Sequence, residues 1–254
     1  PFQCEAAGRW GPDGSVKWVR VDALVSSSDG CLVEVTEAPK AVQTVGMLIM
    51  DKQGDEIVVD TGAAVYRLGP GSSPIKEIHA GGHLVATSRG ARGLYVVDQN
   101  GGVAVASPDE QQVLVESAGP VAACMRFEGF YRRDDGEPLA RHTTRVELFA
   151  GQPFARVSHR FTITRDTNDI WFKDIGWELA VVPGVKPQAS FGVSRDDSMK
   201  STTQPLADRE TLSMLQDSHY RHGHGENHFS VDRVSEKDAV QTILEGEECG
   251  DWAA

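Results

Sequence analysis

The chain is cut into short apolar/polar alternations, and almost every break carries Gly, Pro, Asp or Asn. Runs at 15–25, 31–37, 43–51, 55–60, 63–68, 75–87, 93–98 and 102–106 share this design. A period of two sends successive side chains to opposite faces of an extended strand. Helices need recurrence every three or four residues, and no long stretch here has it. The expected fold class is therefore all-β. Beyond residue 107 the runs lengthen, at 111–117, 120–132, 139–150, 154–165, 170–182, 189–195 and 239–246. Ser107-Pro108-Asp109 interrupts the pattern and marks an expected boundary, with a small turn-rich barrel or sandwich over 1–106 and an antiparallel β-sandwich over 107–254. Residues 207–217 fit either a short helix or a strand. Residues 196–209 and 219–238 read as long loops, and such loops in compact domains are often functional.

The most explicit turn is Trp10-Gly11-Pro12-Asp13-Gly14-Ser15. Proline presets φ, Asp bonds its own backbone and Gly accepts positive φ, so the chain reverses into a strand. That strand alternates Val16, Trp18, Val19, Val21 and Leu24 with Lys17, Arg20 and Asp22, and Trp10 and Trp18 are expected to build core. Ala150-Gly151-Gln152-Pro153 has the composition of a tight hairpin link.

Charge narrows the partners. A net charge of −12 over 254 residues argues against a nucleic-acid binder, which would show a basic surface excess. An anionic sugar polymer would require a local basic cleft within this acidic body. No apolar run reaches membrane length. Cys4, Cys31, Cys124 and Cys249 form no CxxC pair, so they read as free buried thiols or one structural disulfide rather than a zinc knuckle. GxSxG, P-loop and GxGxxG patterns are absent, which removes hydrolase-fold esterases and nucleotide-dependent enzymes.

Residues 219–228 (HYRHGHGENH) hold four of the chain's eight histidines. β-Elimination from a uronate needs a cation on the carboxylate, a base of near-neutral pKa and an acid for the leaving oxygen. Arg221, His219 or His222, and Tyr220 are residues of those types. A divalent metal held by His222, His224 and His228, with Glu226 as a fourth ligand, fits the spacing too, although no standard zinc signature is present. A solvated loop without a role is the third reading.

Alternation along 139–150 places Arg141, Thr143, Arg145 and Glu147 on one face and His142, Val146 and Leu148 on the other. Along 154–165 it aligns Arg156, Arg160, Thr162 and Thr164 against Val157, His159, Phe161 and Ile163. Guanidinium forks at Arg141, Arg145 and Arg160 suit a uronate carboxylate, unless they are consumed by pairs with Glu128 and Glu147. His159 reads as a core histidine. Trp171, beside Lys173, is a candidate for stacking on a sugar, although its even spacing from Trp177 suggests that both are core. Asp166/Asp169 and Asp196/Asp197 admit glycosidase or calcium readings without a fixed geometry.

Two stretches resemble a known family. Trp10–Val19 resembles a WPDGS-type motif of the N-terminal RIFT barrel in exo-rhamnogalacturonan lyase and YetA-like proteins. Residues 111–164, from Gln-Gln-Val-Leu-Val-Glu-Ser to Ala-Arg-Val-Ser-His-Arg-Phe-Thr-Ile, resemble the opening of the β-sandwich that follows it. The resemblance implies a RIFT-type barrel followed by an antiparallel sandwich. It also implies a polysaccharide lyase acting on rhamnose–uronate linkages, an anionic polysaccharide or oligosaccharide as partner, and a C-terminal α/α-toroid domain beyond this segment. A non-catalytic carbohydrate-binding or scaffold segment and a metal-dependent sugar enzyme are the alternatives.

Overall fold

A computed structural model describes residues 2–25, 48–182, 184, 186–195, 198–216, 229–235, 239–246 and 252–253. The opening hairpin pairs β1 (Phe2–Arg9) with β2 (Val16–Ala23) around the expected turn. Trp10 N donates to Ser15 O at 2.8 Å, and the Asp13 carboxylate accepts from Ser15 N at 3.1 Å and Ser15 Oγ at 2.9 Å. Gly14 takes φ +66°, a conformation that a Cβ would strain. The tryptophans depart from expectation: Trp10 is 54% exposed and Trp18 64%. A two-stranded ribbon has no second apolar layer to bury them. Instead, the Lys17 ammonium lies 4.2 Å from the Trp10 ring centroid.

Two sheets form the main body. The first has the order β15-β7-β6-β5-β4-β3, built from β3 (Ile49–Gln53), β4 (Glu56–Asp60), β5 (Ala64–Leu68), β6 (Ile75–Ala80), β7 (His83–Thr87) and β15 (Ala180–Val181). The second has the order β13-β12-β11-β9-β8-β14, with β10 also paired to β11. Its strands are β8 (Leu94–Asp98), β9 (Val103–Ala106), β10 (Gln112–Ala118), β11 (Ala122–Arg132), β12 (Pro138–Phe149), β13 (Ala155–Ile163) and β14 (Phe172–Trp177). The alternation read from sequence sets which side chains go inward. Ile57, Val59, Tyr66 and Leu68 of the first sheet pack with Met125, Phe127, Val146 and Leu148 of the second. Each such fully buried large side chain contributes on the order of 1.5–3 kcal/mol. A second cluster gathers Leu94, Val96, Tyr131, Leu139 and Ile170 under the same sheet.

Residues 106 and 107 do not separate two bodies. β9 pairs with β11, Ala106 opposite Tyr131, and the main core mixes side chains from both sides of that point. Ser107-Pro108-Asp109 breaks the alternation because it is a turn within one sheet, with Ser107 N bonded to Phe130 O at 3.0 Å and Asp109 N to Ser107 Oγ at 3.2 Å. The compact units are instead Pro1–Val182 and Pro183–Ala254. The hairpin joins the first unit through Gln3. Its Oε1 accepts from Val121 N at 2.9 Å and Ala122 N at 2.8 Å, and its Nε2 donates to Ala122 O at 3.0 Å.

The second unit holds two three-stranded sheets. One is β17-β16-β21, from β16 (Gln188–Arg195), β17 (Ser198–Pro205) and β21 (Trp252–Ala253). The other is β18-β19-β20, from β18 (Thr211–Gln216), β19 (Phe229–Val234) and β20 (Val240–Gly246). Two expectations change here and an open one closes. The stretch 196–209, read as a loop, contains β17; the stretch 219–238, also read as a loop, contains β19; and 207–217, open between helix and strand, holds β18 over Thr211–Gln216. β17 shows no apolar alternation because Met199 is the single large apolar residue in its Ser/Thr-rich run, whereas strand formation needs only backbone pairing and tolerant side chains. The described residues are all-β.

Candidate functional site

The candidate residues separate into two groups. His219, Tyr220, Arg221, His222, His224, Glu226 and His228 lie outside the described residues. Among the described residues, no group of three or more His, Cys, Asp or Glu is placed to hold a metal ion. Arg141, Arg145, Arg160, Trp171 and Lys173 can be located.

The arginine face is real, and alternation built it. Register sets Arg126 of β11 directly opposite Arg145 of β12, a like-charge cross-strand pair that is unfavourable alone. Glu116 on β10 reaches across both. Its carboxylate accepts from Arg145 Nε at 2.7 Å and Nη2 at 3.0 Å, and lies 3.0 Å from Arg126 Nη1. Glu128 pairs with Arg141 at 3.2 Å and with Arg126 at 3.4 Å. Glu147 takes Arg20 of the hairpin at 3.0 Å and Arg156 at 3.7 Å. The Arg145 guanidinium, ahead of that of Arg126, holds the Glu116 carboxyl below the usual range. Beneath it, burial first and then Glu116 push the Cys124 thiol up to about 12, so Cys124 is a buried, inert thiol, whereas Cys4 is exposed. Arg141 and Arg145 are thus already engaged by carboxylates. The side chains of Arg160 and Lys173 have no ion-pair or hydrogen-bond partner among the described residues.

The two tryptophans of 170–182 divide. Trp177 packs against both cores and donates from Nε1 to Ser73 Oγ at 3.1 Å. Trp171 is 60% exposed. It did not join the core because Ile170 and Phe172 supply the inward residues on either side. Its backbone is held on both sides: Gln99 N donates to Trp171 O at 3.0 Å, and Trp171 N donates to Gln99 Oε1 at 3.1 Å. An exposed indole on so fixed a loop keeps the stacking role open to it. A cleft of about 220 Å³ adjoins this loop, lined by Gln99, Arg133, Arg165, Asp166 and Asp169.

Sequence reading gave no weight to a polar cluster inside the second sheet. The fully buried Tyr131 hydroxyl lies 2.9 Å from His159 Nε2, and Thr144 Oγ1 lies 2.8 Å from His159 Nδ1 and 3.4 Å from His142 Nδ1. Burial, reinforced by His159, lowers the His142 pKa to about 4, and burial lowers that of His159. Both rings are therefore neutral near pH 7, and those of Tyr131 and His142 meet edge to face at 5.4 Å. His159, expected in the core, is instead exposed, although its two ring nitrogens are engaged by Tyr131 and Thr144. Also missed was a cleft of about 380 Å³ on the first sheet, lined by Glu56, Arg67, Lys76, Glu77, Thr87, Ser88 and Arg89. The sequence signal lay in the broken alternation at Ile75-Lys76-Glu77, which a strict period-two reading passes over.

The architecture of the first unit defines an antiparallel β-sandwich with a charge-laced outer face. A family model of the PcRGLX-like protein central β-sandwich domain matches residues 48–186, more than half of the chain, and the chain belongs to this rhamnogalacturonan-lyase-related family. The match begins at residue 48, so β3–β9 are part of the sandwich and not of a barrel over 1–106. No curated protein matches the chain.

Proposed function

We propose that this chain is the sandwich-bearing segment of a polysaccharide lyase that cleaves rhamnose–uronate linkages by β-elimination. Membership of the PcRGLX-like family over 48–186 is the observation that carries this reading. In it, Arg221 neutralises the uronate carboxylate, His219 or His222 removes the proton, and Tyr220 protonates the leaving oxygen. The β1–β2 hairpin belongs to a RIFT-type barrel ahead of the sandwich, and a toroid domain completes the active site. Within the sandwich, Arg160, Trp171 and Lys173 remain available for sugar contacts. The test is incubation of the full-length enzyme with rhamnogalacturonan, followed by ultraviolet absorbance of the unsaturated product. The wild type should release it, and His222→Ala should abolish release; equal rates for the two proteins overturn the assignment of His222.

A second reading, a non-catalytic binding or scaffold segment, draws support from the pairing of Arg141 with Glu128 and of Arg145 with Glu116, which spends those forks on the fold. Retardation in a glycan-containing gel without any product absorbance would favour it.

A further inference from the structure

The cleft of about 380 Å³ on the first sheet combines four independent features. The first is a β-bulge. Arg67 pairs with Glu77 and Leu68 with Ile75, so Lys76 is the extra residue of β6 with no opposite number on β5. Bulges re-aim side chains and gather near functional sites. Here the bulge turns Lys76 and Glu77 toward one cleft while Ile75 and Ile78 stay with the core.

Second, the carboxylates of the cleft are already engaged and two of its cations are not. Arg67 takes Glu56 at 2.8 Å and approaches Glu77 at 3.9 Å, and His79 takes Glu77 at 3.1 Å. The side chains of Lys76 and Arg89 form no hydrogen bond or ion pair among the described residues. Lys76 feels Glu56 only at longer range, and burial outweighs that influence, so its ammonium pKa is lowered. A half-buried ammonium without an acceptor costs free energy unless an anion supplies one.

Third, the loop beside it passes close to the ammonium. Gly71 sits at φ +138°, a conformation that disfavours any side chain, and the atom nearest to where its Cβ would lie is Lys76 Nζ. Fourth, the lining of Arg67, Lys76 and Arg89 against Glu56 and Glu77 is net positive in a chain of net charge −12. The volume lies in the range of small-molecule pockets, which run from about 300 to 1,000 Å³. Ser88 adds a hydroxyl at the wall, and its backbone N–H is bound to Lys76 O at 2.9 Å, which fixes the bulge to β7.

We propose that this cleft, with Lys76 and Arg89 as its cations, binds the carboxylate of a uronate residue. The proposal rests on the glycan reading above and places the local basic cleft that reading requires. The Lys76 ammonium and the Arg89 fork together satisfy the two carboxylate oxygens, and Ser88 takes a neighbouring hydroxyl.

The experiment titrates the 254-residue chain with galacturonate and, separately, with its methyl ester, following the amide NMR signals of Gly71, Lys76, Ser88 and Arg89. Galacturonate should shift those signals, and the ester, lacking the charge, should bind roughly ten- to a hundredfold more weakly. Lys76→Met and Arg89→Gln should each weaken galacturonate binding by a similar factor. Arg89 is exposed, so its variant keeps the test valid if Lys76→Met fails to fold. Equal binding of acid and ester, or unchanged binding by both variants, overturns the site. Rhamnogalacturonan cleavage or binding without any response to galacturonate at this cleft also overturns it and leaves the glycan reading standing. Failure of the full-length enzyme to bind or cleave any glycan removes that reading as well.

Discussion

Glu116 and Arg145, from strands that do not pair with each other, form a two-pronged ion pair of 2.7 and 3.0 Å across the strand between them. The same carboxylate screens Arg145 from Arg126, its directly opposed neighbour. The face is thus held by a carboxylate shared between two cations, and its arginines are structural before they are anything else.

Replacing Glu116 with Gln keeps the shape and removes the charge, leaving Arg126 and Arg145 opposed. A loss of about 1 kcal/mol is expected, discounted because these side chains are partly exposed. Urea unfolding at low and high salt checks it: the deficit should shrink as salt screens the repulsion.

The buried His142 makes stability depend on pH. Its folded pKa of about 4 lies below the ordinary 6.5, so the unfolded chain takes up the proton first as pH falls. Stability from this group is full above pH 6.5, declines through the window between 6.5 and about 4, and is then lost, by about 3 kcal/mol in all. Urea midpoints at several pH values across that window should trace the slope, and His142→Leu should flatten it.

Tyr131→Phe deletes the hydroxyl that meets His159 at 2.9 Å and leaves one ring nitrogen without its partner. A cost of about 1–3 kcal/mol is expected. The double-mutant cycle with His159→Phe should give a coupling energy well above zero, whereas additive effects would mean that the pair contributes nothing.

Trp171 and Trp177 should behave oppositely on truncation. Trp177→Ala opens space against both cores and should cost about 3–5 kcal/mol in unfolding free energy. Trp171→Ala, at an exposed site, should stay within about 0.5 kcal/mol of wild type. If the indole stacks on sugar, the same variant should lose retardation in a rhamnogalacturonan gel.

Gln3 is the hairpin's polar latch. Gln3→Ala removes three hydrogen bonds to Val121 and Ala122, two of them to backbone N–H groups. Limited proteolysis should then cut between β1 and β2 faster than in wild type, with the sandwich fragment left intact.

Alternation was enough to read most strands of the sandwich, although 75–87 holds both β6 and β7 and 170–182 both β14 and β15, and it was enough for the inward and outward faces of β12 and the turn at Asp13 and Gly14. Each of those depends on contacts within a few residues or on a period of two. The strand β17 was not legible, because polar residues give no inward signal. Nor was the division of the chain, because a turn at Ser107–Asp109 and a linker share one composition.

The site divides in the same way. From sequence alone came the all-β class, the family resemblance that the match over 48–186 supports, and the residue types that could serve a uronate. Tertiary structure decided which of those side chains are free. Glu116, Glu128 and Glu147 engage the arginines from across the sheet, Trp177 is half-buried against the cores while Trp171 is exposed, and a bulge aims Lys76 into a cleft. Pairing register and bulge position depend on partners far along the chain, and the local pattern of residues carries no record of them.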